Sequence, residues 1–210
     1  MHLFFKKLKT GKVFSETLFG RVLGVLLPIL YNCEAERVIQ DRIKTIWEEE
    51  GVRESANNGY GDVLVSDEET IKELYQEVLY QKEKLEEKSK SIVITVTISV
   101  TLILGLSSNL FKVYEYQIPI FLKIFLTAVS AVAIMYMIEA GISSSSVLLT
   151  KTKFYPCNVK INSLEDCRLC IICDRLSNTV RNNCLSTAYT CLRNSLVCLF
   201  LSFTLMIVAA

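Results

Sequence analysis

The chain has 210 residues, of which 51% are hydrophobic, and a formal net charge of +1. Its single histidine, His2, stands beside the first residue, which excludes most histidine-based acid–base and metal chemistry. Eight cysteines are too few for a disulfide scaffold in a chain of this length. Because most hydrophobic residues are concentrated in three long runs, we expect an all-α integral membrane protein without enzymatic activity and without a cofactor.

The first segment, residues 1–33, is basic and amphipathic. Its apolar part, Leu18–Tyr31, contains Arg21 and Pro28 and is shorter than a membrane span. A basic segment with this composition is typical of a helix that lies in the plane of an anionic membrane surface. The sequence leaves open whether it lies at the interface or inserts.

Residues 34–90 are acidic and form the second segment. Apolar residues recur at helical spacing over 34–50, which predicts an amphipathic helix. Ser66 and Glu69 then match a capping box, and no helix breaker follows between Asp67 and the first apolar run. We therefore predict a helical stalk that either transmits a cytoplasmic contact to the membrane or packs passively on residues 34–50.

Residues 91–140 contain the first two apolar runs. Ile92–Phe111 is 20 residues without a formal charge, and a helix of that length spans about 30 Å, the thickness of the hydrocarbon core. Ile118–Ile138 carries one charge, Lys123, near its start, where the side chain can extend towards the headgroups. The short connection predicts a transmembrane hairpin.

Residues 141–194 follow as a predicted cytoplasmic connector and cysteine-rich helix. Ser143–Ser146 is expected to be irregular, and a long helix is expected to begin near Ser163. Residues 195–210 then form a third predicted span at the lower limit of length, with an interfacial or partner-buried helix as the alternative.

Lysine and arginine residues near the spans precede the first run and lie between the second and third. The positive-inside rule then places the N-terminus in the cytoplasm and the C-terminus outside, in a plasma or bacterial inner membrane. In this orientation the cysteines lie in the cytoplasm or in a span, where thiols stay reduced.

Four cysteines have spacings that a metal site could use, namely Cys157, Cys167, Cys170 and Cys173. The last three fall in the predicted helix, where each three-residue step turns the next side chain away by about 60°. Packing is the favoured interpretation over metal binding, and acylation of a cysteine next to the membrane is a further alternative.

Small or hydroxylated residues in the spans suit either helix packing or a water-filled path between several copies. These candidates are Thr95, Ser99, Thr127, Ser130 and Ala131, and Glu139 at the end of the second run could face a pore or lie at headgroup level. Candidates for lipid headgroup binding are Lys151, Lys153, Arg175 and Arg181, with ordinary topogenic charge as the alternative. Nothing in the sequence indicates nucleic-acid binding.

The charged stalk Gln81–Ser89, leading into Ile92–Phe111 and the hairpin to Ile138, resembles the SLATT-type membrane effectors of bacterial anti-phage defence. The resemblance covers about a third of the chain, and the third span departs from the two-span plan of that family. It implies a homo-oligomer that depolarises the membrane when a cytoplasmic sensor protein is triggered. The alternative is a non-conducting membrane anchor that recruits a soluble partner through residues 34–91.

Overall fold

The computed structural model describes residues 27–48, 63, 66–113, 119–149 and 164–209. Within these residues the chain forms four α-helices and no strand, as the sequence predicts. The helices are α1 (Pro28–Glu48), α2 (Glu68–Val113), α3 (Ile120–Leu149) and α4 (Leu164–Ala209). Most of the segment 1–33, the hairpin turn, Lys151, Lys153 and Cys157 lie outside the described residues.

Helix α1 begins earlier than the periodicity from Glu34 predicts. Pro28 occupies its first position, where the missing backbone N–H costs nothing because the first turn has no acceptor for it. Ile43 and Ile46 are buried on one face of α1, and Ile39 packs beside them, so the predicted amphipathic face is confirmed at these positions. Val38, which the periodicity also places on that face, is 55% exposed.

Helix α2 runs without interruption for 46 residues, about 69 Å, from the acidic segment through the first apolar run. The predicted continuous stalk and helix are confirmed, whereas the predicted cap is wrong. The N-cap is Asp67 and not Ser66, because the Oδ1 of Asp67 accepts the Thr70 backbone N–H at 3.2 Å and its carbonyl accepts the Ile71 N–H at 3.0 Å.

Helix α3 starts directly after Pro119, whose carbonyl accepts the backbone N–H groups of Leu122 and Lys123 at 2.9 and 3.2 Å. It ends at Leu149, so the prediction of an irregular Ser143–Ser146 stretch is wrong. The serines stay helical because Ser144 is bonded to α2 and the Ser146 hydroxyl donates to the Ile142 carbonyl of its own helix at 3.0 Å.

Helix α4 begins at Leu164, in agreement with the predicted start near Ser163, and continues for 46 residues. It runs parallel to α2, because Ile71 packs in one cluster with Ile171 and Asn178 bonds to the Val78 carbonyl. It runs antiparallel to α3, since Ser195 bonds to the Ala133 carbonyl whereas Val180 packs against Val147.

The packing therefore has two tiers. The proximal tier contains α1 and the first halves of α2 and α4, which share a core that includes Ile43, Ile71 and Ile171. The distal tier contains α2 from Ile92, α3 and α4 from Ala188. Helix α1 packs mainly on α4 and also shares the proximal core with α2. Whether the stalk transmits a contact or packs passively on residues 34–50 stays a prediction.

Buried positions recur every seven residues in all three long helices. In α3 the buried side chains follow the alternating three- and four-residue steps of a coiled-coil seam: Ala133, Met137, Ala140, Ser144 and Val147. The corresponding series are Ile71, Val78, the partly buried Leu85 and Ile92 in α2, and Arg181, Ala188, Ser195 and Ser202 in α4. A repeat of seven is typical of helices that wrap around one another with a left-handed supercoil.

Candidate functional site

The outer surface of the distal tier is apolar. In a soluble protein large hydrophobic side chains on three neighbouring helices would be buried, but here Phe200 is 72% exposed, Ile124 65% and Ile94 60%. Further exposed side chains on this surface are Ile98, Phe121, Phe125, Val132, Met135, Leu196, Val197, Leu201, Phe203 and Ile207. A contiguous apolar surface of this extent is typical of contact with lipid or with a partner.

Two helices of the described residues are long and apolar enough to cross a membrane, Ile120–Leu149 and Cys167–Leu205. In the apolar 18-residue stretch of each helix, only 17% and 22% of the residues are buried inside the chain. In the core helix of a soluble protein, most residues of such a stretch would be buried. The second of these helices includes most of the predicted third span, and α2 carries the first apolar run to Val113.

The contacts between these helices use small residues. Ala133, Ala140 and Ser144 of α3 have no exposed surface, and neither has Ala188 of α4. A Cβ added at Gly141 would lie 3.5 Å from the Val96 side chain, an ordinary packing distance. Small side chains allow helix backbones to approach closely, which is how helices associate in a membrane.

Buried serines join the helices at two levels. The Ser89 hydroxyl donates to the Ser144 carbonyl at 2.6 Å, the Ser144 hydroxyl donates to the Ser89 carbonyl at 2.9 Å, and the two hydroxyls are 2.9 Å apart. Further along, the Ser195 hydroxyl donates to the Ala133 carbonyl at 2.9 Å. These bonds fix α2 and α4 against α3 at defined heights.

Most of the residues that the sequence suggests for helix packing or for a pore lie outside the contacts between the helices of one chain. Thr95, Thr127 and Ala131 are exposed, while Ser99 and Ser130 are half-buried. The prediction of helix packing is therefore wrong for the three exposed residues within one chain, because the buried positions that recur every seven residues lie on another face. Their possible lining of a path between copies stays a prediction.

Glu139 lies beside α4. Its carboxylate is half-buried, and its Oε2 accepts the Cys191 thiol at a sulfur–oxygen distance of 3.7 Å. This contact ties the end of the second apolar run to the start of the third. A role at headgroup level or in a pore stays a prediction.

The lipid-headgroup prediction is wrong for Arg181, which is only 1% exposed. Its Nη1 donates to the Asn178 Oδ1 at 2.7 Å, and the Asn178 Nδ2 donates to the Val78 carbonyl at 3.0 Å. The guanidinium also interacts with the carboxylates of Asp174 and Glu86. Arg181 is thus part of a buried polar group between α2 and α4. Arg175 is half-buried, so its headgroup role stays a prediction.

Most of the described cysteines are packed between helices, whereas Cys33 on α1 is exposed. Cys170 and Cys173 are buried, Cys167 is half-buried, and Cys184 accepts the Asn32 Nδ2 of α1 at 3.4 Å. Within the described ranges no group of three or more histidine, cysteine or acidic residues is arranged to hold a metal ion. The positions on α4 explain this, since successive cysteines turn away from one another around the helix.

The sequence signal that could have located the seam is the seven-residue repeat. Cys184, Cys191 and Cys198 show it directly, and Ala133 and Ala140 repeat it in α3. When candidate residues are chosen by size and polarity alone, the phase of this repeat is not considered, and residues outside the buried face are selected. The chain matches no protein-family model, no curated protein and no solved structure.

Proposed function

We propose that the chain is an oligomeric, non-enzymatic membrane effector that couples a cytoplasmic signal to permeabilisation of the membrane. The observation that carries the proposal is the continuity of α2 and α4, which pass without a break from the proximal core into the apolar distal tier. A helix resists bending more than a loop does, so a contact that moves the proximal tier also moves the distal helices.

We propose that the chain crosses the membrane three times, and the alignment of the helices supports this number. Glu139 contacts Cys191, which sets α3 and α4 at one level, close to where the exposed apolar residues of α4 begin at Leu196; on α3 exposed apolar residues continue to Leu149. Beyond this level the helices continue over residues 92–113, 120–138 and 192–209. At 1.5 Å per residue these lengths are each about 27–33 Å, close to the hydrocarbon thickness.

The proposed orientation places the proximal tier in the cytoplasm and the C-terminus outside, in a plasma or inner membrane. The proximal tier carries the charged exposed faces of α1 and α2, which water solvates, and the positive-inside rule assigns the same side from the sequence. A cytoplasmic sensor protein would then reach α1 and the first half of α2.

A conducting path would have to form between copies. The seam of one chain is filled, since Ala133, Met137, Ala140 and Ser144 have no exposed surface. Three helices also cannot enclose a wide path by themselves. The proposal therefore requires a homo-oligomer in which outward-facing residues of the distal tier meet.

The test is the membrane potential of bacteria that express the full chain, followed with a potential-sensitive dye. We expect depolarisation, and we expect it to disappear when Ile92–Ile138 is replaced by an unrelated two-span hairpin of equal length. Depolarisation that persists with the replaced hairpin would contradict a path lined by these helices. Growth arrest during phage challenge, compared between the same two chains, tests the anti-phage role.

A second function, a membrane anchor or adaptor, is favoured by one observation. The hydroxyls of Thr95, Thr97, Thr101 and Thr127 each bond to the carbonyl four residues earlier, at 2.9 Å. Hydroxyls that are satisfied within their own helix need no water-filled path and can face lipid, as an anchor requires. For an anchor, the hairpin replacement would leave function intact and a soluble partner would be recovered through residues 34–91.

A further inference from the structure

The apolar surface of α4 contains a shallow groove with one charged end. Its walls in the distal tier are Leu196, Val197, Phe200 and Leu201, and its upper end is formed by Arg193 and Tyr189. Arg193 is exposed and Tyr189 is 51% exposed, so both polar groups are open to a ligand. Eight residues separate Arg193 from Leu201, which corresponds to a groove about 12 Å long.

We propose that this groove binds an anionic phospholipid, with the phosphate on Arg193 and one acyl chain along the apolar walls. The inference rests on the proposed insertion of the distal tier into a membrane. Arg193 lies at the level where exposed charged residues of α2 and α4, Lys90 and Arg193 itself, are followed by exposed apolar ones, Ile94 and Leu196. A phospholipid places its phosphate at that level and its acyl chains below it.

The chemistry of the charged end selects an anion. A guanidinium offers a planar fork of N–H donors that matches two phosphate oxygens, and Tyr189 supplies a hydroxyl at the height where tyrosines are enriched in membrane proteins. No described acidic residue completes the site, since Glu139 is directed at the thiol of Cys191. The positive charge of Arg193 therefore favours an anionic lipid over a zwitterionic one.

A second copy of the chain is the competing occupant, and charge argues against it. In a parallel two-fold pairing through this groove, Arg193 of one copy would approach the same residue of the other. The apolar parts of the distal tier, 92–113 and 192–209, contain no acidic residue that could offset this repulsion. A phospholipid brings the opposite charge to the same point.

The test uses tryptophan fluorescence of the full chain in vesicles. Trp47, the chain's one tryptophan, is changed to Phe, and a reporter is introduced as Phe200→Trp inside the groove or Phe125→Trp on the exposed face of α3. Vesicles of phosphatidylcholine contain a small fraction of acyl-brominated lipid, which quenches tryptophan on contact. The brominated lipid is phosphatidylglycerol in one series and phosphatidylcholine in the other.

We expect brominated phosphatidylglycerol to quench Phe200→Trp with about a fivefold preference over phosphatidylcholine, the size expected for one basic residue at an anionic surface. At Phe125→Trp the two lipids should quench equally once Lys123, two residues away, is also changed to Gln. Arg193→Gln should remove the preference. Lys90→Gln, which removes an exposed charge on α2 outside the groove, should retain it.

Other results of this experiment would contradict either the lipid site alone or membrane insertion as well. Equal quenching by both lipids at Phe200→Trp would disprove the anionic site and leave insertion standing. Quenching at Phe125→Trp without quenching at Phe200→Trp would show that a second copy covers the groove, and would also overturn the site. Absence of quenching at both reporters would contradict membrane insertion and with it the proposed function.

Discussion

Ser89 and Ser144 form a reciprocal contact, since each hydroxyl donates to the other residue's backbone carbonyl. Both residues are fully buried, so no water replaces a lost bond. We predict that Ser144→Ala lowers the free energy of unfolding in detergent micelles by about 1 kcal/mol. Ser144→Val should lower it further, because its added methyl groups push α2 and α3 apart.

The matched control is Ser186→Ala, which removes a hydroxyl from the exposed face of α4. We expect its unfolding free energy, measured by denaturant titration with far-ultraviolet circular dichroism, to stay within about 0.5 kcal/mol of the parent chain. Equal effects of Ser144→Ala and Ser186→Ala would contradict a stabilising role of the serine pair.

Arg181 shows how one buried charge depends on its neighbours. Its guanidinium compensates Asp174, which is 6% exposed and whose Oδ1 has no hydrogen-bond partner among the described residues. Arg181→Ala should therefore destabilise the chain by about 3 kcal/mol, because it leaves Lys82 as the remaining positive neighbour of the buried Asp174 carboxylate. The double variant Arg181→Met, Asp174→Leu should recover most of this loss. Thermal unfolding in micelles measures both, and a double variant as unstable as Arg181→Ala would disprove the compensation.

At the scale of the helix, the start of α2 depends on Asp67. Hydrogen bonds from Thr70, its side chain first and its backbone N–H second, hold the pKa of Asp67 below its ordinary value. The carboxylate therefore stabilises the first turn at neutral pH, and this contribution is lost as the pH falls through the lowered pKa. Asp67→Ala should speed amide hydrogen exchange at Thr70 and Ile71.

Asp67→Asn separates the charge from the cap, because an amide oxygen also accepts the N–H of Thr70. We expect near-normal exchange at Thr70 for Asp67→Asn, with a weaker dependence on pH than in the parent chain. Nuclear magnetic resonance of the full chain in micelles gives both rates. An exchange rate unaffected by Asp67→Ala would show that the first turn is held by other contacts.

The helices were predictable where one local signal fixed them. The uninterrupted apolar and amphipathic patterns located α2, and the start of α4 followed from the capping pattern at Ser163. The end of α3 was not predictable in this way, since Ser143–Ser146 favours a loop by composition. It is helical because Ser144 bonds to Ser89, 55 residues away along the chain.

The candidate site was less predictable than the helices for a physical reason. The same residue types serve on a lipid-facing side and in a helix contact, and only the phase of the seven-residue repeat separates them. Thr95 and Ala131 lie outside that phase, whereas Ala133 and Ser195 lie within it. A headgroup role was predicted for Arg181 because basic residues are usually exposed. Its burial depends on contact with α2, including the carboxylate of Glu86, which the sequence pattern of α4 does not show.

At the scale of the whole molecule, α2 and α4 keep one alignment through both tiers. Asn178 bonds to the Val78 carbonyl in the proximal tier, and Ile92 shares one buried cluster with Ala188 and Leu192 in the distal tier, so the two helices stay side by side through both tiers. Two helices locked at both ends can turn only together. This rigidity is what would carry a proximal signal into the spans.

Insertions in α2 test that coupling. Two alanines inserted after Glu87 turn the distal half of α2 by about 200° relative to its proximal half, whereas seven residues restore the helical phase to within about 20°. The two-residue insertion turns the buried face of distal α2 away from α3 and α4, so we predict two thermal transitions where the parent chain gives one. The seven-residue insertion shifts distal α2 by about 10 Å along its axis but keeps its buried face towards α3 and α4. It should therefore keep one transition, at a lower temperature than the parent chain.

The same two insertions distinguish an effector from an anchor in cells. Where the chain depolarises the membrane, the two-residue insertion should abolish the dye response and the seven-residue insertion should retain part of it, because only the latter keeps the buried face of α2 in phase. An anchor needs no such phase, and both insertions would then recruit the soluble partner equally. Full depolarisation by the two-residue insertion would mean that the tiers act independently, and mechanical coupling through α2 would be disproved.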